Sequence, residues 1–322
     1  MSRLVRLAVL GCALLWCVAA VAQGYPSRTI KLIVPFPPGA TTDAVGRVIG
    51  DYLRTKTGAT VVVENMPGAA GNIGMTSAVR ADPDGYTLVV VASSLISINP
   101  HLYKEARLDP VKDLAVVGII GEIPTLFAVN KDVPAQTLPE FLALAKKDPG
   151  KYVYASAGVG TPLHLSVARL AREAKVDLLH VPYRGGAPAI NDLLANRANF
   201  IGIDPGPLLA HIEAGTLRPL AIAASKRVPA LPNVPTVNET GITGFEDYVW
   251  WGIAAPRQTP TAILDQLNDL LRDAASYPAV KERLAPLQVQ LLSPRRDEIE
   301  RRIEAESKSW GAFIESAGIK IQ

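Results

Sequence analysis

Apolar and polar positions along the chain follow two periods that trade places repeatedly. Residues 30–34 form an apolar run interrupted only by Lys31, as expected of a buried strand. Beyond a proline-rich turn, Val45, Val48, Ile49, Tyr52 and Leu53 fall on one face of a helix. The exchange then recurs. Residues 60–64 are β-branched and lead into a glycine-rich turn, and Asp82-Pro83-Asp84-Gly85 turns into a strand over 86–92 that ends at Ser93 and Ser94. Strands are predicted at 116–121 and 126–130, and Thr137-Leu138-Pro139-Glu140 reads as a capping box opening a helix that stops at Asp148-Pro149-Gly150. The strand at 152–156 hands over through 157–161 to a helix with Pro162 in its first turn and Leu163, Val167, Leu170 and Ala174 inward. Strands at 178–181, 200–203 and 217–224 complete this half. Such alternation predicts an α/β chain with mainly parallel sheets. Two long helices close it, one with Ile263, Leu264, Leu267, Leu270 and Leu271 on one face, the other starting at Ser293-Pro294 and burying Ile299, Ile303, Trp310 and Phe313.

The pattern breaks twice at points suited to a crossing between lobes. Glu122-Ile123-Pro124 is the first, and the proline-rich stretch 229–235 reads as a linker returning the chain through residues 250–256. The expected organisation is therefore a first lobe from 23–123 and 257–322, a second lobe at 124–228, and a return crossover at 229–256. Residues 1–22 stand apart from all of this. Arg3 and Arg6 precede an apolar run over 7–21, and Ala20-Val21-Ala22 is a small-residue pattern before a cut ahead of Gln23, which marks a secretory signal. A lipoprotein reading at Leu10-Gly11-Cys12 leaves too short an apolar stretch before the cysteine.

Removing that segment takes both cysteines with it, Cys12 and Cys17, so the mature chain has neither a disulfide nor a thiolate site. It also takes two arginines, leaving 31 Lys and Arg against 30 Asp and Glu. A charge near +1 without a basic run excludes a nucleic-acid surface.

The chemistry of interest sits in the turns. Pro35-Phe36-Pro37-Pro38-Gly39-Ala40-Thr41-Thr42-Asp43 joins a strand to a helix N-terminus, where the first amides lack partners and the helix dipole favours an anion. Thr41, Thr42 and Asp43 also suit simple helix capping. The turn 65–74 offers either amides for a ligand or glycines for close packing. Residues 156–161 repeat the strand, turn and helix arrangement, with His164 either a donor to a ligand or a packing histidine. Tyr183 and Arg184 precede two further glycines, and Asp204, at the end of a strand, reads equally as a ligand contact and as the cap of a helix near Leu208. Ligands of open α/β sheets gather beyond the carboxyl ends of strands, where all these turns lie.

Enzyme signatures are missing. There is no Gly-x-Ser-x-Gly elbow, His-Glu-x-x-His or Gly-Lys-Ser/Thr, and His101, His164, His180 and His211 share no metal-ligand spacing. No cofactor and no metal are expected. The alternative of another class is a secreted α/β hydrolase or transferase using Ser93, Ser94 or Ser156 with a distant histidine.

Seven ordered motifs then carry a resemblance. They are 33–39 with Asp43; 62–65 with 67–69 and 71–74; 83–88; Asn99-Pro100 with Leu102-Tyr103; 156–158 with Gly160, Thr161 and His164; 180–186; and 231–236 with Glu239 and Gly241. Over essentially its whole mature length the chain resembles the Bug receptors, the solute-binding components of tripartite tricarboxylate transporters. The resemblance implies a two-lobed periplasmic binding protein, type II-like, with a ligand cleft between α/β lobes. It implies a small carboxylate or amino-acid ligand, a monomer, and a membrane permease or sensor kinase as partner. The ligand's carboxylate would be held by Phe36, Pro38, Gly39, Ala40, Thr41 and Asp43 in one turn and by Ser156, Ala157, Gly158, Gly160 and Thr161 in the other. Ser93, His164 and Asp204 complete the expected set. Two departures matter: Gly39-Ala40 replaces the usual Gly-Gly pair, and residues 195–199 lack the usual glycine-rich turn and acidic residue.

Overall fold

A computed structural model describes residues 24–39, 41–104 and 108–321; the signal segment, the cut before Gln23, both cysteines and Ala40 lie outside the described residues. The elements run β1 (Ile30–Val34), α1 (Thr41–Thr57), β2 (Val61–Asn65), α2 (Asn72–Val79), β3 (Thr87–Ala92), a π-helical turn (Ser94–Ile98), α3 (Asn99–Leu102), α4 (Pro110–Asp113), β4 (Leu114–Pro124) and β5 (Leu126–Asn130). They continue with α5 (Leu138–Lys147), β6 (Val153–Ser156), α6 (Pro162–Ala174), β7 (Leu179–Pro182), α7 (Gly186–Leu194), β8 (Phe200–Ile203), α8 (Leu209–Glu213) and β9 (Leu217–Ile222). The chain closes with β10 (Tyr248–Pro256), α9 (Thr261–Ala274), α10 (Pro278–Leu284), β11 (Gln290–Leu291) and α11 (Arg296–Ser316).

Two sheets result, and each is the centre of one lobe. The first has the order β11-β4-β10-β3-β1-β2 and the second β7-β6-β8-β5-β9. Both are mixed rather than mainly parallel. β1 runs parallel to β2 and β3, and β6 parallel to β7 and β8, as strand-helix alternation requires. The strands that pass between lobes do not obey that rule: β10 is antiparallel to both β3 and β4, and β5 to both β8 and β9. They enter from the other lobe instead of through a crossover helix, so their direction is free of the parallel constraint.

The helix after β1 forms for the reason its spacing suggests. Val45, Val48, Ile49, Tyr52 and Leu53 are buried in one cluster with Leu32 and Val34 of β1 and Leu88 and Val90 of β3. Each such aliphatic side chain contributes about 1.5–3 kcal/mol on leaving water. Ile49→Asp, which puts an unpaired carboxylate into that cluster, is the single change expected to detach α1.

Thr125 is where the chain changes sheets. Its N–H donates to the Asp247 carbonyl (3.0 Å), and its own carbonyl accepts from Ala223 N–H (2.8 Å), so the two crossings are bonded to each other. The proline-rich stretch expected to be a linker is instead packed on the second sheet. Val228, Leu231 and Val234, three residues apart, are buried in that lobe's core, and Val237 and Phe245 follow on its other face. The return to the first sheet therefore comes only at Asp247 and Tyr248.

α11 spans the junction. Ile299 and Ile303 belong to the first lobe's core, and Arg302 pairs with Glu122 (2.7 Å) and Glu306 (2.7 Å). Farther on, Ile314 packs with Ile98 of the first lobe and Leu165 of the second. Among the described residues no helix is long and apolar enough to cross a membrane.

Candidate functional site

The turn after β1 is locked from behind by one carboxylate. Asp43, in the first turn of α1 and 4% exposed, accepts from Gly39 N–H (3.0 Å), Asn65 Nδ2 (2.8 Å) and Arg47 Nε (3.0 Å). Asn65, the last residue of β2, also donates to the Phe36 carbonyl (3.0 Å) and accepts from Arg47 Nη2 (2.9 Å). Burial pulls the Asp43 carboxyl upward, but the bonds from Arg47, Asn65 and Gly39 outweigh it and hold it below the usual range. Asp43 is thus committed inward, and Gly39 spends its amide on it. The helix end supplies the unpaired donors: Thr41 and Thr42 carry N-terminal amides without intrahelical acceptors, and the hydroxyl of Thr42, itself buried, accepts from the Trp251 indole (3.1 Å). The turn around Gly71 packs against the same structure. A Cβ at Gly71 would lie 2.7 Å from Leu95 and one at Gly74 2.8 Å from Pro35, so these glycines serve close packing.

The turn after β6 is built differently. Ser156 Oγ accepts from Gly158 N–H (3.1 Å) and lies 2.7 Å from His180 Nε2, while Thr161 Oγ1 donates to the Gly158 carbonyl (2.7 Å) and caps α6. Gly160 N–H donates to His164 Nδ1 (3.1 Å). Two amides of the turn, Ala157 and Val159, meet no acceptor among the described residues. Gly158 (φ +129°) and Gly160 (φ +78°) both occupy backbone that disfavours a side chain, for different surroundings. Around Gly158 a Cβ would find ordinary contacts, whereas at Gly160 it would press on Leu102 of α3 (2.8 Å) and Ile321 (3.3 Å). Gly160 is therefore one point at which the second lobe touches the first.

The remaining expected residues divide. Ser93 is buried at the end of β3 and accepts from Trp250 N–H (3.4 Å), a bond between strands. His164 is buried and held against the turn. Tyr183 OH donates to Asp192 (2.6 Å), and burial followed by that bond pushes the phenol up to about 12, so Tyr183 is anchored to α7. Asp204 follows β8, the neighbour of β6. No side chain caps the short helix after it, which removes the capping role, and burial raises its carboxyl above the usual value, offset in part by its own amide.

Each lobe therefore carries a strand-to-helix turn with amides left unpaired and a lock behind them, at the carboxyl ends of parallel strands. The receptor family of tripartite tricarboxylate transporters matches residues 45–319. The chain belongs to this family. A UPF0065 protein encoded in a tcbD-tcbE intergenic region of a Pseudomonas species is 34% identical over 91% of the chain and 87% of its own length. Among solved structures, the periplasmic binding protein BugD is 33% identical with a TM-score of 0.74 over 92% of the chain and 100% of its own. The R. palustris protein Rpa4515, solved with adipate, is 30% identical with a TM-score of 0.77 over 92% and 99%. The two-lobed α/β fold expected of a Bug-type receptor is shown by these matches.

In this receptor, Asn65 and His180 fall within the resemblance motifs, but what they and Arg47 do for the turns escapes a reading of the sequence. Asn65 and Arg47 lie 22 and 4 residues from Asp43, and only the β1–β2 pairing makes them one cluster. His180 reaches Ser156 because β7 pairs parallel with β6, placing His180 opposite Tyr154. Its presence in the motif 180–186 was the one available signal. Among the described residues no group of histidine, cysteine or acid side chains is arranged for a metal ion.

Proposed function

We infer that the receptor captures a small carboxylate-bearing solute, an organic acid or amino acid, in the periplasm, between a first lobe and a second lobe that meet at Thr125 and Asp247. The observation that carries this is the pair of turns, one per lobe, with helix-end amides at Thr41 and Thr42 and amides without an acceptor among the described residues at Ala157 and Val159. Rpa4515 with adipate supports a carboxylate as the class. Main-chain amides hold such an anion without a cationic side chain, so the turns supply affinity and other walls supply selectivity. Asp204, half-buried and without a side-chain partner among the described residues, is the selectivity residue of this reading: ionised, it favours an ammonium or hydroxyl on the ligand and repels a second carboxylate. Ligand draws the lobes together, and the closed form engages a tripartite permease or a sensor kinase as a monomer.

The test is mass spectrometry of ligand released from natively purified protein, followed by titration calorimetry. Asp204→Asn should weaken an amino acid about tenfold and leave its desamino analogue within about twofold. Equal losses for both remove Asp204 from the ligand's surroundings. Intact mass of the secreted form should place its start at Gln23 without lipid.

One observation favours the hydrolase reading enough to weigh it: the 2.7 Å contact of Ser156 with His180 has the reach of a nucleophile and base. Ser156 is completely buried, however, and its oxygen already accepts from Gly158 N–H. Among the described residues no carboxylate orients His180, whose ring neighbours are His164 and Tyr154. Ester hydrolysis above background, lost in Ser156→Ala, would reinstate it.

A further inference from the structure

The second turn depends on two stacked imidazoles. A backbone N–H only donates, so the bond from Gly160 means that His164 Nδ1 carries no proton and the neutral ring is the Nε2–H tautomer. His180 supports the other end of the same turn through Ser156, which in turn receives Gly158 N–H. The two rings are 4.1 Å apart and 12° from parallel, and Tyr154 stacks on His180 at 4.7 Å. One imidazole thus serves each glycine of the turn.

We propose that His164 and His180 are positioning residues of the ligand turn, acting as a neutral stacked pair that sets its amides, and that proton uptake by the pair opens it. The proposal rests on the reading of this turn as a ligand site. Protonating His164 puts an N–H at Nδ1 against the N–H of Gly160, two donors where one acceptor is required. It also places a cation against His180, so the pair accepts one proton at most with ease. The titratable neighbours are few. Tyr154 faces the pair from β6, its phenol held above the usual value by burial; Ser156 and Thr161 offer hydroxyls; the rings face each other from α6 and β7. From the first lobe, Leu102 and Ile321 cover Gly160, and His101, Lys104, Lys308, Glu315 and Lys320 line the cavity beside them. Burial and then His180 push His164 down to about 4, and burial lowers His180, so both are neutral at neutral pH.

The experiment uses the mature protein labelled with nitrogen-15. Expected are an Nε2–H tautomer for His164, an imidazole midpoint more than about one unit below the ordinary histidine value, and Gly160 and Val159 amide shifts that follow it. Adipate is the binding probe, and because it takes up protons itself, wild type is compared with His164→Asn, whose amide oxygen replaces the Nδ1 acceptor without titrating. At neutral pH His164→Asn should bind within about threefold of wild type and His164→Leu about tenfold more weakly, while between about pH 6.5 and 4 wild type should lose about twofold more affinity than His164→Asn. An Nδ1–H tautomer, an ordinary midpoint, or parallel profiles overturn the proposal. Failure of adipate to bind wild type counts against the ligand class alone, and the tautomer and amide titration then decide the histidine pair.

Discussion

The two turns proposed to hold the ligand are built with opposite chemistry. The first is held by charge: Asp43 is ionised, tied to Arg47 and to two amide donors, and indifferent to pH across the neutral range. Neutral hydrogen bonds hold the second, a serine, a threonine and two uncharged imidazoles, with the lobe contact at Leu102 pressed on one of its glycines. An anion gripped by both turns, as proposed above, would gain from this difference. A fixed carboxylate behind the first turn costs little because three donors neutralise it, whereas a second one near the same anion would repel it. Neutral supports avoid that cost.

The sharpest way to break the comparison is at Asp43. Asp43→Ala leaves Gly39 N–H and Asn65 without their acceptor, and the expected loss is about 3 kcal/mol of stability with binding reduced more than about 100-fold. Chemical denaturation and calorimetry measure both, and an unchanged affinity would mean the first turn does not hold ligand. Gly160→Ala comes next. It combines a positive φ with a Cβ 2.8 Å from Leu102, for an expected cost of about 2 kcal/mol, whereas Gly158→Ala bears the backbone strain alone and should cost about 1 kcal/mol. Partial relief of Gly160→Ala by Leu102→Ala, but none for Gly158→Ala, would place the lobe contact at Gly160. Acid comes last. His164 has a folded pKa near 4 against an ordinary 6.5, so its unfolded form binds the extra proton, and its contribution is present above 6.5 and lost as pH falls toward about 4. After allowance for solvent screening the change is on the order of 1–2 kcal/mol. Asp247 works with the opposite sign, since burial raises its carboxyl to about 6 and its penalty is relieved on protonation. The measurable quantity is therefore the difference between wild type and His164→Asn in denaturation midpoints across that range. No difference would detach the second turn from its histidines.

Much of this was legible in the chain. The strand, proline turn and helix at 30–57, the N-cap at Thr137 and the placement of Pro162 after Thr161 all follow from local residues, and local geometry realises them, although the Glu140 carboxylate accepts from Gln136 N–H and so leaves the expected capping box half formed. Strand direction was not legible, because β10 and β5 are aligned by the neighbouring lobe's connection and not by their own residues. The stretch around Pro229, Pro232 and Pro235 looked like a linker because its prolines hide the three-residue spacing of Val228, Leu231 and Val234. Asp43 and Gly160 were recognised as important, yet as ligand contacts; that one turns inward and the other meets Leu102 depends on side chains distant in sequence.

The terminal helix makes the molecule its own optical gauge. Trp250 and Trp251 are buried in the first lobe, while Trp310 on α11 is half-buried with the Arg169 guanidinium of the second lobe 5.8 Å from its ring. A change in the angle between lobes would alter the electric field on that indole, so emission from Trp310 would report the lobe closure proposed above without an attached dye. The same geometry cautions against fusing a fluorescent domain or surface anchor behind Ile321, whose side chain already rests over Gly160.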